Sequence, residues 1–380
     1  MVRSRTEATI PEPLDIMSSC GTTLRTPIGS GAGPRGADGS VLNALTIDLE
    51  DYFQVSGFEE VIPRANWRDF ESRVEIGTEK LLTILAEFQT TATFFVLGWT
   101  AQRHPALIRR IHAAGHEIGC HSYAHRLVYE CTRSEFRQDT HRAKAVIEDI
   151  VGGTVAGYRA PSFSITAQSL WALEILAEEG FQYDSSVFPI LRDRYGIPNA
   201  PRHPYAVNLE HGPVMVDQHS PTSSPTLPTA SARRGLRRGD SYPVLDRLTM
   251  CPRASILEMP PSTVRWLGST FPMGGGGYLR LFPDWLFHFA IHRIVEKEKK
   301  PAILYLHPWE LDPDQPRIRQ GSWLSRFRHT VNLDRTEGKL KALLSRWRFS
   351  SLARVIEGMD DLPFIPATRI ATHDRLPCSG

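Results

Sequence analysis

Histidines spaced four residues apart are the first feature of this chain that suggests chemistry. There are three such pairs: His112 and His116, His121 and His125, and His288 and His292. Among them, only His121 directly follows a predicted strand, at the end of a parallel strand where active sites form in α/β barrels. A four-residue spacing also lets two imidazoles reach one ion. We therefore predict a metal site at His121 and His125.

Charged side chains also stand at or just after the ends of the predicted strands. The residues concerned are Asp48, Glu50, Asp51, Arg159, Asp184 and His307. A parallel barrel gathers the carboxyl ends of its strands at one mouth, so we expect these residues to share one site. Acids at such a position bind a cation or transfer protons, whereas the alternative interpretation is a set of solvated loop acids.

Alternating strands and helices are expected to position these side chains. Short apolar runs predict seven strands, at 44–47, 93–97, 117–120, 155–160, 181–184, 255–259 and 302–307. Apolar residues at helical spacing, and a capping box at 132–135, predict helices that include 168–179 and 284–298. The alternation indicates an α/β fold with a parallel sheet. Seven strands in about 270 residues favour an incomplete, distorted parallel (β/α) barrel.

Composition divides the chain into a central domain and flanking segments. Residues 1–42 are rich in Pro, Gly, Ser and Thr, which predicts a disordered extension. Residues 43–310 are expected to form the barrel domain, with a flexible surface insertion at 214–253 that lacks apolar periodicity. Residues 311–380 are predicted to form a largely helical C-terminal extension. The run Gly274–Gly277 is interpreted as a flexible turn, because it lacks the residues that follow a phosphate loop.

Charge and composition exclude several classes of protein. The 44 Lys and Arg nearly balance the 42 Asp and Glu, which argues against nucleic acid as a partner. No apolar segment reaches the length of a transmembrane helix. The N-terminus lacks the apolar core of a signal peptide, and the five scattered cysteines are interpreted as reduced thiols of a cytoplasmic protein. Local basic runs, among them Arg326 and Arg328, are interpreted as solvated faces, with peripheral contact with anionic lipid or glycan as the alternative.

Five segments resemble, in order and spacing, the motifs of the polysaccharide deacetylase family, carbohydrate esterase family four. They are 46–51, 121–125, 159–163, 183–186 and 304–310. Residues 52–54, 261–265 and 274–278 and the C-terminal extension resemble the subfamily associated with exopolysaccharide and exosortase (PEP-CTERM) gene clusters. The resemblance spans about 44–310 and implies the same incomplete barrel that the alternation of elements predicts.

The resemblance implies one divalent metal ion, with Zn²⁺ expected, bound by His121, His125 and one acidic residue. The usual first motif of the family has two adjacent aspartates, whereas this chain reads Asp-Leu-Glu-Asp. Glu50 is favoured as the acidic ligand, because alternation along an extended segment returns it to the side of Asp48. Asp51 is the alternative ligand.

The resemblance also implies the groups that transfer protons. Asp48 is expected to act as the general base, kept ionised by Arg159. His307, with a pKa near neutrality, is expected to protonate the leaving amine and to be oriented by Asp184. The usual tryptophan of the fourth motif is absent from this chain.

Substrate contacts are implied at two further motifs. The backbone at Pro161 and Ser162, with Phe163 beside them, is expected to stabilise the oxyanion. Leu304 and Leu306 are expected to line the pocket for the acetyl group.

These roles imply a hydrolase that removes N-acetyl groups from amino sugars, in exopolysaccharide biosynthesis. The expected partner is an N-acetylated polysaccharide or its lipid-linked oligosaccharide precursor, met on the cytoplasmic side. One alternative is a deformylase or other amidohydrolase on the same scaffold. The other is a glycan-binding protein that has lost catalysis.

Overall fold

The computed structural model describes residues 40–192, 194–209, 255–359 and 362–371. The predicted insertion at 214–253 lies outside these ranges, as does the predicted N-terminal extension apart from residues 40–42. Within the described ranges, no helix combines the length and the apolar character needed to cross a bilayer.

The described part of the chain contains twelve strands. They are β1 (Asn43–Leu49), β2 (Thr93–Val96), β3 (Glu117–Cys120), β4 (Gly157–Tyr158), β5 (Tyr183–Asp184), β6 (Tyr205–Asn208), β7 (Ser255–Glu258), β8 (Thr263–Trp266), β9 (Ser269–Pro272), β10 (Ile303–Leu306), β11 (Phe349–Ser350) and β12 (Phe364–Pro366). Seven of them pair in parallel in the order β10-β1-β2-β3-β4-β5-β7. These seven coincide with the predicted strands, which confirms an α/β fold with a mostly parallel sheet.

The strand order is that of a (β/α) barrel, because the last parallel strand lies beside the first. Among the described residues, β7 and β10 form no ladder with each other. The chain after β7 lies against β10 instead, where Ser262 donates its backbone N–H to the carbonyl of Ile303 and Gly275 bridges Tyr305. On the other side of β7, the sheet continues with antiparallel β6 and then β12. This arrangement fits the predicted incomplete barrel.

Strand register brings the predicted site residues to one level. The pairing of β1 with β10 puts Asp48 level with His307. The pairing of β3 with β4 puts His121 level with Arg159. The carboxyl ends of the parallel strands therefore meet at one mouth, as the fold class requires.

Eleven α-helices are present in the described residues. They are α1 (Val74–Glu87), α2 (Gly98–Arg103), α3 (Pro105–Ala113), α4 (Arg133–Val151), α5 (Trp171–Glu178), α6 (Gly276–Leu281), α7 (Asp284–His292), α8 (Trp323–Thr330), α9 (Leu333–Arg346), α10 (Leu352–Glu357) and α11 (Ala367–Ala371). The predicted capping box opens α4, with Thr132 and Glu135 capping each other's backbone. The predicted helix at 284–298 is α7 followed by a π-helical turn at Arg293–Lys297.

Residues that were predicted as a C-terminal extension pack onto the barrel. In α9, Leu340, Leu343 and Leu344 are buried in the main core. β11 then pairs in parallel with the start of β1, where Phe349 lies opposite Asn43. The extension therefore contributes both to the core and to the sheet.

Candidate metal centre and active site

Glu50, His121 and His125 form a buried group whose ligand atoms converge. Glu50 Oε1 lies 2.8 Å from Nε2 of His121 and 2.9 Å from Nε2 of His125. The three ligand atoms lie within 4.8 Å of one another, and each residue is at most 3% exposed. Two imidazole nitrogens and one carboxylate oxygen form a common donor set of catalytic zinc sites. We call this group the metal triad.

The loop between the two histidines is bent so that the second imidazole returns to the first. Ser122 and His125 both have left-handed backbone conformations, with φ of 64° and 53°. Ser122 Oγ accepts a hydrogen bond from the His125 N–H at 3.0 Å, and Arg64 donates to the His125 carbonyl at 2.9 Å. Unusual backbone conformations persist where the surroundings hold them, and they cluster at functional sites.

The hydrogen bond from His121 to a backbone carbonyl determines the tautomer of its ring. Nδ1 of His121 lies 2.7 Å from the carbonyl oxygen of Arg159, which only accepts, so Nδ1 carries the proton. In the neutral ring, Nε2 then presents a lone pair to the Glu50 oxygen 2.8 Å away. Two acceptors at that distance require a cation or an added proton. The triad therefore fits a metal ion, with the Arg159 carbonyl orienting one ligand.

The charge state of Glu50 also suits a cation. Burial alone would raise the pKa of Glu50, but the charge of His125 and the hydrogen bonds with both imidazoles hold that pKa well below its usual value. An ionised carboxylate is the form that binds metal.

Asp51, the alternative acidic ligand, lies away from the metal triad. Its carboxylate accepts a hydrogen bond from Ser72 Oγ at 2.5 Å and from the backbone N–H groups of Arg73 and Val74 at 3.1 and 3.3 Å. These contacts are at the start of α1, where unpaired N–H groups favour an acidic partner. The structure thus brings Glu50, and not Asp51, to the two histidines.

Asp48 forms a buried ion pair with Arg159. The guanidinium donates to Asp48 Oδ1 at 2.7 Å and to Thr46 Oγ1 at 2.6 Å. It also binds the carbonyl and hydroxyl of Ser185, at 3.1 and 2.8 Å, and lies over the ring of Phe95 at 4.4 Å. Because Arg159 is fully buried and bonded on several sides, its guanidinium is fixed in place against the Asp48 carboxylate.

His307 lies on the open side of Asp48. Its Nε2 is 3.9 Å from Asp48 Oδ2, and its side chain is 18% exposed, against 4% for Asp48. Burial alone would lower the pKa of His307, but the hydrogen bond with Glu310 and the charges of Glu50, Glu310 and Asp48 raise it to about 9. The expectation of a pKa near neutrality is therefore wrong, because the sequence did not show how many carboxylates surround this ring.

The prediction that Asp184 orients His307 is also wrong. His307 Nδ1 lies 2.8 Å from Oε1 of Glu310, which follows three residues later in a 3₁₀ turn. Asp184 accepts hydrogen bonds from the hydroxyl and N–H of Ser186, at 2.5 and 3.2 Å, and is paired with the buried Glu258. The i, i+3 spacing of His307 and Glu310 after a strand was the signal that could have identified the correct partner.

Arg280 and Gly276, two further residues missed by sequence reasoning, hold Glu310 in place. Arg280 Nε donates to Glu310 Oε2 at 2.7 Å, and both side chains are buried. A Cβ atom on Gly276 would lie 2.3 Å from Glu310 Oε1. The glycine run is therefore not a free turn but the start of α6, where the absence of a side chain lets the carboxylate approach.

The predicted oxyanion segment follows Arg159, whose guanidinium lies 5.5 Å from the Phe163 ring. Pro161, Ser162 and Phe163 form a 3₁₀ turn in which Ser162 and Phe163 have φ of 50° and 54°. Ser162 Oγ lies 2.5 Å from Ser56 Oγ, which ties the turn to the loop after β1. The Phe163 ring packs edge-to-face against Tyr305 at 4.8 Å.

The predicted acetyl-pocket residues Leu304 and Leu306 face away from the site. Tyr305, between them, pairs with Thr46 in register and lies 5.7 Å from the Arg159 guanidinium. Since side chains alternate along a strand, the two leucines point to the opposite face, where they are buried in the main core. The prediction for them is therefore wrong, and Tyr305 is the β10 side chain that faces the site.

In each of the other two histidine pairs, one histidine forms a hydrogen bond with a structural partner. His116 Nδ1 accepts a hydrogen bond from the Ala92 N–H at 3.2 Å, and burial lowers its pKa to about 4. His288 Nδ1 accepts from Trp347 Nε1 at 3.1 Å. Among the described residues, only the metal triad brings three metal-ligating side chains together.

Comparison with known proteins agrees with this geometry. Residues 69–183 match the polysaccharide deacetylase family. This part of the chain is similar to that family. The match covers His121, His125 and Arg159, while the residues of β1 and β10 that complete the site lie outside it. Residues 223–357 match a domain of unknown function, DUF3473, which is compatible with the predicted exopolysaccharide-associated subfamily. That subfamily stays a prediction.

This chain is similar to several proteins that carry deacetylase names. It is 29% identical over 113 residues to a peptidoglycan deacetylase of Helicobacter pylori, covering 30% of this chain and 38% of the relative. It is 32% identical over 98 residues to a peptidoglycan-N-acetylglucosamine deacetylase of Bacillus cereus, covering 26% of this chain and 36% of the relative. A chitooligosaccharide deacetylase of Sinorhizobium fredii is 38% identical over 72 residues, covering 19% and 34%. The chain thus spans less than two-fifths of each of these relatives.

A solved structure shows the same fold over most of this chain. It comes from Mycobacterium smegmatis and is assigned as a polysaccharide deacetylase. It covers 87% of this chain and 94% of its own, with a TM-score of 0.50 and 19% identity. The similarity of fold therefore extends beyond residues 69–183.

Proposed function

We propose that this protein is a metal-dependent hydrolase that removes N-acetyl groups from amino sugars in a polysaccharide or oligosaccharide. One observation carries the proposal. The metal triad lies at the same barrel mouth as the Asp48–Arg159 ion pair, and His307 lies 3.9 Å from Asp48. Amide hydrolysis needs an electrophile, a base and an acid at one place.

The metal triad supports a single divalent ion, and its nitrogen and oxygen donors favour Zn²⁺. When bound, the ion supplies Lewis acidity that activates water and polarises the amide carbonyl. Glu50 and the two imidazoles hold the ion, and the Arg159 carbonyl keeps His121 in the required tautomer.

Asp48 is the proposed general base. It takes a proton from the attacking water as the new carbon–oxygen bond forms. Arg159 donates a hydrogen bond to this carboxylate at 2.7 Å and holds it in place. Arg159 is therefore a positioning residue.

His307 is the proposed general acid. Glu310 and Asp48 are among the carboxylates that raise its pKa, which favours the doubly protonated ring at neutral pH. Glu310 holds the proton on Nδ1, and the Nε2–H faces the open side of the site. That proton passes to the amine nitrogen as the carbon–nitrogen bond breaks, so the products are acetate and the free amino sugar.

The backbone at Ser162 is the proposed contact for the oxyanion that forms at the amide carbonyl. Its left-handed conformation is costly for a residue with a side chain, and such strain is typical of functional turns. The deacetylase names of the relatives support an N-acetylated glycan as the substrate class. A role in exopolysaccharide biosynthesis in the cytoplasm is part of the same proposal, supported by the free thiols of Cys120 and Cys131.

Acetate release tests the proposal. The full chain, stripped of metal and then reloaded with Zn²⁺, is incubated with N-acetylglucosamine oligomers and with matched N-formyl sugars. We expect acetate release that chelation abolishes and Zn²⁺ restores. Formate release alone would indicate a deformylase, and binding without hydrolysis would indicate a glycan-binding protein.

A further inference from the structure

Helix α8 exposes three large apolar side chains. Trp323, Leu324 and Phe327 are 70%, 43% and 44% exposed. The Trp323 and Phe327 rings stack on each other 5.7 Å apart, with an angle of 13° between their planes. Within α8, only His329 is buried. Most of the helix therefore lies on the outside of the fold with an aromatic and aliphatic face.

The surroundings of this face are strongly cationic. Residues 315–333 contain four arginines and no acidic residue. The arginines are Arg317, Arg319, Arg326 and Arg328, and all four are exposed. We call these arginines, with Trp323, Leu324 and Phe327, the basic aromatic surface.

This surface is fixed to the active site through the buried side of α8. The His329 ring stacks on Trp309 at 4.6 Å, and Trp309 stacks on His307 at 5.1 Å. His329 Nε2 also lies 3.1 Å from the carbonyl of Tyr52. Arg280, which holds Glu310, donates to the backbone carbonyls of residues 328, 329 and 331. The basic aromatic surface is therefore rigidly placed beside the general acid.

We propose that the basic aromatic surface docks the protein onto an anionic lipid surface, with the active site beside the membrane. The proposal rests on the proposed deacetylase function and adds that the glycan substrate is held at the membrane. Trp, Phe and Leu side chains enter the interface between lipid head groups and acyl chains, and arginines attract anionic lipids. Together these residues match that chemistry.

A sugar-stacking platform fits the same residues less well. Phe327 already stacks against the Trp323 ring, and Leu324 offers no hydrogen bond. Protein sites that bind sugars also need groups that accept hydrogen bonds from hydroxyls, and α8 carries neither carboxylate nor amide side chains. The excess of arginine instead complements phosphate groups.

Vesicle binding by the full chain tests the proposal without any catalytic readout. The protein is sedimented with vesicles of phosphatidylcholine, with and without phosphatidylglycerol, at low and high salt. We expect reversible binding only to the vesicles that contain phosphatidylglycerol, weakened by salt. Replacing Arg319, Arg326 and Arg328 with Gln should lower the partition coefficient by at least about tenfold, and Trp323→Ser should also lower it.

A matched control is Trp285→Ser, since Trp285 is exposed to nearly the same extent, 68%, on a different helix. We expect this variant to bind vesicles like wild type, and Trp323→Ser to keep its activity on soluble oligomers. Absence of binding to anionic vesicles would overturn the inference and leave the deacetylase function standing. Equal effects of Trp323→Ser and Trp285→Ser on vesicle binding would also overturn the inference. So would a loss of turnover on soluble oligomers in Trp323→Ser, or a change of its oligomeric state while vesicle binding stays the same. Vesicle binding by a protein without deacetylase activity would instead overturn the proposed function alone.

Discussion

Glu310 Oε1 lies 2.8 Å from His307 Nδ1, and Arg280 fixes Glu310 from the other side. This relationship sets the orientation of the imidazole and leaves Nε2 facing Asp48. It also contributes to the raised His307 pKa of about 9. A buried carboxylate thus favours the protonated form of this histidine.

Glu310→Gln should lower the pKa of His307, because the variant keeps a hydrogen-bond acceptor but removes its negative charge. We expect the alkaline limb of the kcat/KM profile to move to lower pH and kcat at neutral pH to fall by about tenfold or more. The pH profile of deacetylation measures both effects. Asp184→Asn is the control variant. A shift of the alkaline limb in Asp184→Asn, without a shift in Glu310→Gln, would contradict the assignment of Glu310 as the partner of His307.

His307→Ala should retain its metal and bind substrate, but lose turnover by about 10²–10⁴, the usual contribution of a positioned acid. The active form of His307 is protonated, so wild-type activity should be present below its pKa and fall as pH rises through it. Without a metal ion, the pKa of His307 is raised to about 9. A bound cation would offset the negative charge of Glu50, so we expect the alkaline limb of the metal-loaded enzyme at a lower pH. The limb should vanish in His307→Ala. Turnover close to wild type in this variant would exclude His307 as the acid.

Gly276→Ala should destabilise the protein by about 1–3 kcal/mol and reduce turnover, because the added methyl group overlaps the Glu310 carboxylate. Gly277→Ala is the matched control in the same helix. A Cβ atom there meets nothing within 4 Å, so this variant should be neutral or more stable by about 0.5–1 kcal/mol. Measurements of thermal unfolding and kcat compare the two variants. Equal stability and equal kcat would show that position 276 tolerates a side chain next to Glu310.

Asp51→Ala should cost about 2 kcal/mol of unfolding free energy, since it leaves the first backbone N–H groups of α1 without a partner. Its metal content should equal that of wild type. Glu50→Gln should show the reverse pattern, with loss of metal and little loss of stability in the metal-free protein. Denaturant unfolding with metal analysis tests this, and a metal-free Asp51→Ala protein would reverse the choice of ligand.

Much of the fold followed from the sequence, because the parallel strands are continuous apolar runs with polar residues at their ends. The same pattern placed Asp48, His121 and Arg159 at one mouth, and alternation in β1 favoured Glu50 over Asp51. The short β4 and β5 were predicted too long, since only two residues of each are paired. Apolar runs there continue beyond the hydrogen-bonded ladder.

Contacts between distant segments could not be predicted from one sequence. Arg280 reaches Glu310 across thirty positions, and no local pattern records that pairing. The direction of Leu304 and Leu306 depends on which face of β10 looks into the barrel, and an apolar run that is buried on both faces does not show it. The raised pKa of His307 likewise depends on three carboxylates, Asp48 and Glu50 at the end of β1 and Glu310 after β10.

Metal stoichiometry tests the central claim most directly. The protein and its His121→Ala, His125→Ala and His288→Ala variants are purified in parallel, loaded with Zn²⁺, desalted and analysed for bound metal. We expect about one ion per chain in wild type and in His288→Ala, and none in the other two variants. Retention of the ion by His121→Ala or His125→Ala, or its loss from His288→Ala, would contradict the assignment of the metal triad.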